Sequence, residues 1–314
     1  MITAPGLLGM NRRNIDYILS NNSRKFYPLV DNKLLTKQLL EQHGIPCPML
    51  YFEIKHNFEL KLLRELKHMK EFVVKPARGS AGRGILPITE QIGKKWKTAK
   101  GELLSKEDVE YHVSNILAGL YSLGGADDHA FLEYYVRSHP IFRPISYQGV
   151  PDIRLIIYRG IPIISMLRLP TKESGGRANL HQGAVGAGLD MRDGITIGGV
   201  HRDRLIDNHP DTDTKIAGIR IPFWNDILEI GARLYDIFKL GYIGADFVID
   251  QLLGPLILEL NARPGLSIQL ANREGLRPCL DIIDKMLGPK PVENELSPEK
   301  RLRIFREMLA EVNS

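Results

Sequence analysis

The residues best suited to chemistry lie between Gly244 and Gly265, in the stretch GADFVIDQLLGPLILELNARPG. Asp246 to Asp250 is apolar and β-prone, Gln251 to Pro255 carries turn signals, and Leu256 to Leu260 is apolar again, so the stretch reads as a β-hairpin. Side chains alternate faces along a strand, which puts Glu259 and Asn261 on one side and Leu258 and Leu260 on the other. With the turn centred between Leu252 and Leu253, Asp246 falls directly across from Glu259. One face then presents Asp246, Glu259 and Asn261, with Leu258, Leu260, Ala245, Phe247 and Ile249 packed behind. Adjacent carboxylates repel, and burying them is costly without a compensating cation. Three hard oxygen donors at this spacing suit Mg²⁺, whose shell is completed by phosphate oxygens and water. A surface hairpin with a polar outer face is the commoner origin of a lone Asp/Glu pair. The apolar back face and the Asn261-to-Gly265 end favour the metal site.

A second chemical feature is Phe72-Val-Val-Lys-Pro-Ala-Arg-Gly-Ser-Ala-Gly-Arg-Gly-Ile85. A short β-branched strand carries Lys75 opposite Phe72 and Val74 and runs into a loop containing Gly79, Ser80, Gly82 and Gly84. Glycines let successive backbone N–H groups converge on a phosphate, and Lys75 adds a point charge. The loop is neither a Walker A loop nor a dinucleotide-binding GxGxxG turn. Taken alone it would read as a mobile surface hairpin; the strand-borne lysine favours phosphate binding.

These residues need elements to hold them. Asp31 starts a helix with Leu34, Leu35, Leu39 and Leu40 on one face, ended by Gly44, and Lys33 sits in its first turn. An amphipathic helix follows over 57–69. Residues 91–125 read as an insertion: a basic loop with Lys94, Lys95, Lys97 and Lys100, then a helix from the N-cap Ser105 to Leu123. Phe131 to Val136 is a short strand. Pro151 to Tyr158 and Ile161 to Leu169 form another hairpin, with Asp152 and Arg154 on one face and Arg168 near its end. Residues 173–188 hold five glycines around Arg177, Asn179 and His181, a composition that reads as a polar loop unable to pack a core. Residues 195–216 read as a polar surface excursion. Trp224 to Phe238 is amphipathic, Asn272 to Leu287 is a final core helix, and residues 288–294 are a linker. A last helix opens at Ser297-Pro and carries Leu302, Phe305, Leu309 and Val312 for docking on the body or on a partner.

Composition bounds the class. The 314 residues are 43% hydrophobic and 25% charged, with a formal net charge of +5. That is an ordinary globular balance, tolerant of an anionic ligand and without nucleic-acid motifs. Cys47 and Cys279 have no metal or redox spacing. No apolar run approaches a membrane span, and the first ten residues do not form a signal peptide, so the expected compartment is the cytoplasm.

Taken in order, these motifs — the strand lysine, the glycine loop, Leu132-Glu-Tyr-Tyr-Val136, Asp152-Ile-Arg154, Arg168, Arg177-Ala-Asn-Leu-His-Gln-Gly183, Gly244-Ala-Asp246 and Glu259-Leu-Asn-Ala-Arg-Pro-Gly265 — resemble the ATP-grasp superfamily. Within it, the pattern is most similar to the RimK-type glutamate ligases, over about Asp31 to Leu287. The resemblance implies an α+β ATP-grasp fold in which two α+β subdomains clamp ATP. Its subdomains would be 31–135 and 136–288, flanked by a short segment 1–30 and by a linker and helix 289–314. Lys33, Lys75, Gly79, Ser80, Gly82 and Gly84 would contact phosphates. Glu133 and Tyr134 would hold the adenine, and Asp152 would lie at the nucleotide's edge. Arg177, Ala178 and Asn179 would sit near the terminal phosphate. Arg154, Arg168 and Asn179 are the catalytic candidates. Asp246, Glu259 and Asn261 would bind two Mg²⁺ ions, replaceable by Mn²⁺. The implied activity is ATP-dependent amide-bond formation through an acyl phosphate, between an amino acid such as glutamate and a carboxylate-bearing acceptor. A kinase-like enzyme and a non-catalytic nucleotide-binding scaffold are the other two classes. The sequence departs from the pattern in its short lead-in before Asp31 and in longer stretches at 91–125 and 137–150, so the ribosomal-protein acceptor is not carried over.

Overall fold

The computed structural model describes residues 6–79, 82–122, 125–288 and 296–312. In chain order the elements are α1 (Met10–Arg12), a π-helical stretch (Arg13–Leu19), α2 (Pro28–Asp31), α3 (Lys33–Gln42), β1 (Leu50–Ile54), a 3₁₀ run (Asn57–His68), β2 (Phe72–Pro76), β3 (Leu86–Ile92), β4 (Lys95–Thr98), β5 (Leu103–Leu104), α4 (Lys106–Leu117), β6 (Ala130–Glu133), β7 (Asp152–Tyr158), β8 (Ile161–Leu169), β9 (Val185–Leu189), β10 (Thr196–His201), β11 (Arg204–Ile206), α5 (Trp224–Phe238), β12 (Tyr242–Asp250), β13 (Gly254–Asn261), α6 (Ile268–Asn272), α7 (Arg277–Leu287) and α8 (Pro298–Val312). They form two compact units. One comprises residues 32–37 and 47–136; the other comprises 1–31, 38–46 and 137–314. Each contains an antiparallel sheet, an α+β architecture.

The smaller unit is a six-stranded sheet ordered β1-β6-β2-β3-β4-β5. Its core joins Phe72, Val74, Ile88 and Trp96 of the sheet to Leu63 and Leu66 of the 3₁₀ run and to Val109, Val113 and Ile116 of α4. The expected basic loop around residues 94–100 is a hairpin instead. Gly93 turns it at φ 61°, and Trp96 is buried against Phe72 while the lysines face out. The α4 helix starts at the expected Ser105, whose hydroxyl accepts from the Asp108 N–H at 3.2 Å, but it stops at Leu117. The helix expected from Asp31 is capped by Asn32, whose Oδ1 accepts from Leu34 N at 3.1 Å; Asp31 belongs to α2.

The larger unit is a seven-stranded sheet ordered β11-β10-β9-β8-β7-β12-β13. Strands β7, β8 and β12 are almost wholly buried, and α5 lays Ile227, Leu228, Ile230, Leu234 and Phe238 into the core. Burying each such side chain contributes about 1.5–3 kcal/mol. The expected core-free glycine loop is half strand. Gly186 and Gly188 lie in buried β9, where a Cβ on Gly188 would stand 2.5 Å from Ala271 O. Gly188 thus serves the close approach of α6. The expected surface excursion at 195–216 likewise contains β10 and β11. The helix expected over Asn272–Leu287 is interrupted at Arg273, which takes φ 57°, so α6 and α7 are separate. The last helix docks on its own unit: Arg301 of α8 pairs with Asp236 of α5 at 2.6 Å and donates to Ala232 O at 2.7 Å, and Phe305 is buried.

Candidate functional site

The hairpin expected around Asp246 is β12–β13. Asp246 pairs directly with Glu259 and Gly244 with Asn261. The turn is one residue shorter than expected, and a bulge between the 246/259 and 247/257 pairs restores the register. That bulge has a consequence for Leu258. As the extra residue it is 36% exposed rather than packed behind the face. Ala245, Phe247, Ile249 and Leu260 are buried as expected.

Register extends this face across two more strand pairs. Asp152 of β7 pairs with Arg168 of β8, and Arg154 of β7 pairs with Asp246 of β12. Asp152, Arg154, Arg168, Asp246 and Glu259 therefore share one face of the sheet, because directly paired residues point the same way. The charges interlock. Arg154 Nε donates to Asp246 Oδ1 at 2.7 Å and its Nη2 to Oδ2 at 2.6 Å. Arg168 Nη2 donates to Asp246 Oδ2 at 2.8 Å and to Asp152 Oδ2 at 2.7 Å, and its Nε also pairs with Asp152. Asn261 Nδ2 donates to Asp246 Oδ2 at 3.2 Å. Burial pushes Asp246 upward, but the Arg168 and Arg154 guanidiniums win and hold it at about 2. For Asp152, burial prevails over Arg168 and raises it, and the Asp246 carboxylate adds to the rise.

Glu259 has no ion-pair partner among the described residues. An unpartnered carboxylate opposite a buried one, with an amide oxygen alongside, fits the hard-oxygen preference of Mg²⁺. Among the described residues no group of three His, Cys, Asp or Glu side chains is gathered for a metal, so any site here needs the Asn261 amide.

The smaller unit gathers lysines. Glu133 of β6, 2% exposed, is paired with Lys75 of β2 and with Lys37 of α3 at 2.9 Å. Burial opposes ionisation of Glu133, yet the two lysines hold its carboxyl below the usual range. Burial pulls Lys75 below the usual lysine range against the attraction of Glu133. Lys33 Nζ donates to Gly79 O at 2.8 Å, at the foot of the glycine loop. Asp128 fixes that foot by accepting from Arg78 N at 3.0 Å and from Ser122 Oγ at 2.8 Å. Gly82 and Gly84 take φ 71° and 74°; Ser80 lies outside the described residues. Three lysines against one carboxylate leave a net positive cluster suited to phosphate. Sequence reasoning missed Lys37. Its signal was the four-residue spacing from Lys33, which puts both on one helix face. It also missed that the Glu133 side chain is engaged by lysines. The Tyr134 N–H is donated to Met49 O at 2.9 Å.

Arg177, Ala178 and Asn179 are not joined by hydrogen bonds to the charged face. Asn179 Oδ1 accepts from His181 N at 3.0 Å and caps a short 3₁₀ turn, and Arg177 Nη1 donates to Gln182 Oε1 at 3.4 Å. His209 Nε2 to Pro170 O at 3.0 Å and His201 Nε2 to Gly183 O at 3.1 Å brace the two ends of their loop. Among the described residues no helix is long and apolar enough to cross a membrane.

A family model described as sugar-transfer associated ATP-grasp matches residues 12–285. The chain belongs to this ATP-grasp family. No curated protein sequence matches it. Among solved structures, biotin carboxylase from Campylobacter jejuni is 16% identical with a TM-score of 0.52, covering 92% of this chain and 52% of that one. The likeness is one of fold. The ATP-grasp ligase PsnB with a minimal precursor is 14% identical with a TM-score of 0.47, covering 86% and 64%. D-alanine–D-alanine ligase from Bacillus anthracis, complexed with ATP, is 14% identical with a TM-score of 0.43, covering 91% and 68%. The chain thus spans less than two thirds of the PsnB chain.

Proposed function

We propose that this chain is an ATP-dependent ligase that joins a carboxylate to an amine through an acyl phosphate. The observation that carries the reading is the buried charged face of the larger unit: two arginines interlocked with two carboxylates, flanked by the unpaired Glu259 and by Asn261. Membership of an ATP-grasp family supports ATP as the phosphoryl donor.

A carboxylate is a poor electrophile. Transfer of the γ-phosphoryl group to one of its oxygens creates a leaving group. The amine then attacks the carbonyl carbon, the bond to the phosphate oxygen breaks, phosphate departs with the electron pair, and the amine gives up a proton. The first step brings two anions together, so their charge must be neutralised in place. Arg154 and Arg168 would do this for the carboxylate. Asp246, Glu259 and Asn261 would hold Mg²⁺, two ions in our reading, which supply Lewis-acid neutralisation of phosphate charge when bound. Lys33, Lys37 and Lys75 would hold phosphates, with Glu133 fixing two of them. The glycine loop would cover the phosphates, the Glu133–Tyr134 segment would hold the adenine, and Asp152 would sit at the nucleotide's edge. The loop bearing Arg177, Ala178 and Asn179 would keep water from the acyl phosphate.

PsnB has been solved with a precursor peptide, and the family's description refers to sugar transfer. For this chain we take glutamate as the first amino acid to test, peptide or sugar-linked carboxylates as the acceptor class, and the cytoplasm as the compartment. The test is a screen of amino acids against such acceptors for phosphate release dependent on Mg²⁺ and ATP, with mass spectrometry of the products. A product heavier by the amino acid less one water is expected. Phosphate release that no substrate raises above the blank would refute the ligase reading.

A further inference from the structure

The residues that follow the proposed cation-binding face are each held by the N-terminal segment. Asn22 Nδ2 donates to Ala262 O at 3.3 Å and to Tyr242 O at 2.7 Å, and its Oδ1 accepts from Tyr242 N at 2.8 Å. The Arg263 guanidinium lies 4.4 Å from the centre of the Tyr27 ring. Arg13 Nη1 donates to Pro264 O at 2.7 Å. Asn22 is only 3% exposed, so this amide makes its bonds out of water, where the loss of each leaves a buried polar group unpaired.

The placement is specific. Tyr242 opens β12, four residues before Asp246. Ala262 directly follows Asn261, the last residue of β13. At the far end of the hairpin the chain itself joins the strands through Gln251 to Leu253. At the open end the last ladder pair is Gly244 with Asn261, and beyond it one side-chain amide bridges the two strands. Asn261 sits at that unclosed end, where strands fray first.

We infer that Asn22 is a positioning residue for the cation-binding face. It ties the start of β12 to the end of β13 and so fixes where Asn261 stands relative to Asp246 and Glu259. Tyr27 and Arg13 extend the same splint over the next two residues. This inference rests on the cation reading given above. A side chain outside a metal's own ligands that orients them changes affinity by about 10–100-fold when removed.

The experiment is a Mn²⁺ titration followed by electron paramagnetic resonance, on the full chain in the presence of ADP. It compares the wild type with Asn22→Ala, Asp246→Asn and Leu8→Ala. Leu8 lies in the same segment and is also 3% exposed, but its backbone is held by Gln269 of α6, at 2.8 Å from the Leu8 N–H, and not by Tyr242 or Ala262. It therefore controls for a general loss of stability. Asn22→Ala is expected to weaken Mn²⁺ binding about tenfold or more, while Leu8→Ala, at a comparable loss of thermal midpoint, leaves it within about twofold. Should Asn22→Ala not fold, Asn22→Ser retains a short polar group that cannot span Tyr242 and Ala262, and it is expected to show the same weakening. Wild-type affinity in either Asn22 variant, or equal weakening in Leu8→Ala, overturns the positioning role. Unchanged affinity in Asp246→Asn overturns the cation reading itself, and the positioning role with it.

Discussion

Replacing Asp246 with Asn tests the charged face through stability alone. Asp246 is 2% exposed and accepts two bonds from Arg154, one from Arg168 and one from Asn261. With Asp152, Arg154 and Arg168 it forms a row of zero net charge. Asn leaves that row at +1. Arg168 keeps Asp152, but Arg154 is left as a buried guanidinium without its carboxylate. Breaking a buried pair by removing one partner costs about 3–5 kcal/mol, because the survivor remains desolvated. At about 2–4 °C per kcal/mol for a unit of this size, the thermal midpoint should fall by about 6–20 °C. The assay is thermal unfolding followed by near-ultraviolet circular dichroism, repeated in urea to confirm an unchanged slope. The double variant Asp246→Leu with Arg154→Met removes both partners and should recover a large part of the loss, since an apolar replacement of a whole pair is close to neutral. A single-variant shift below about 2 °C, or a double variant as destabilised as the sum of the singles, would refute the interlocked row.

In the smaller unit, Glu133→Gln strands Lys37 and Lys75 and should cost about 3–5 kcal/mol in urea unfolding. The Glu133 carboxyl is held below its ordinary value of 4.5, so its contribution is fully present above that pH and is lost as pH falls through the folded value. The Gln variant should lack this part of the acid-side decline when stability is followed from pH 6 downward. Gly188→Ala drives a Cβ to 2.5 Å from Ala271 O and 2.9 Å from the Asn272 Cα, and should destabilise by about 1–3 kcal/mol in the same assay. Burial raises the Cys279 thiol to about 12, so in native protein at pH 8 iodoacetamide should label Cys47 and spare Cys279, as read by peptide mapping. Equal labelling would place Cys279 outside the core.

The parts of the fold that were readable follow a strict period. The α5 helix follows from a continuous apolar stripe and appears where the residues place it, while Asp246 stands opposite Glu259 as alternation about the expected turn puts it, through a shorter turn offset by a bulge. Leu258 escaped because a bulge is a local insertion that alternation does not encode. The strands β9 and β10 escaped for a different reason. Gly186, Gly188, Gly198 and Gly199 carry no hydrophobic signal, and at two of the four a neighbour stands where a Cβ would go: the Ala271 carbonyl at Gly188 and the Ile216 side chain at Gly199. The partners of the charged groups were equally hidden. Arg154 and Arg168 could be placed on one face with Asp152, but their convergence on Asp246 required the β8-β7-β12 strand order, which crosses some seventy residues of chain. Asn22 lies 220 residues from Tyr242, and no local pattern connects the two.

Trapping with hydroxylamine tests the central claim most directly. A carboxylate activated as an acyl phosphate is captured as a hydroxamate, whereas a phosphorylated hydroxyl group is not. With Mg²⁺, ATP and the acid that stimulates phosphate release, the wild-type chain should yield hydroxamate in step with ADP, and Asp246→Asn should yield none. ADP formed with that acid but without hydroxamate would contradict carboxylate activation.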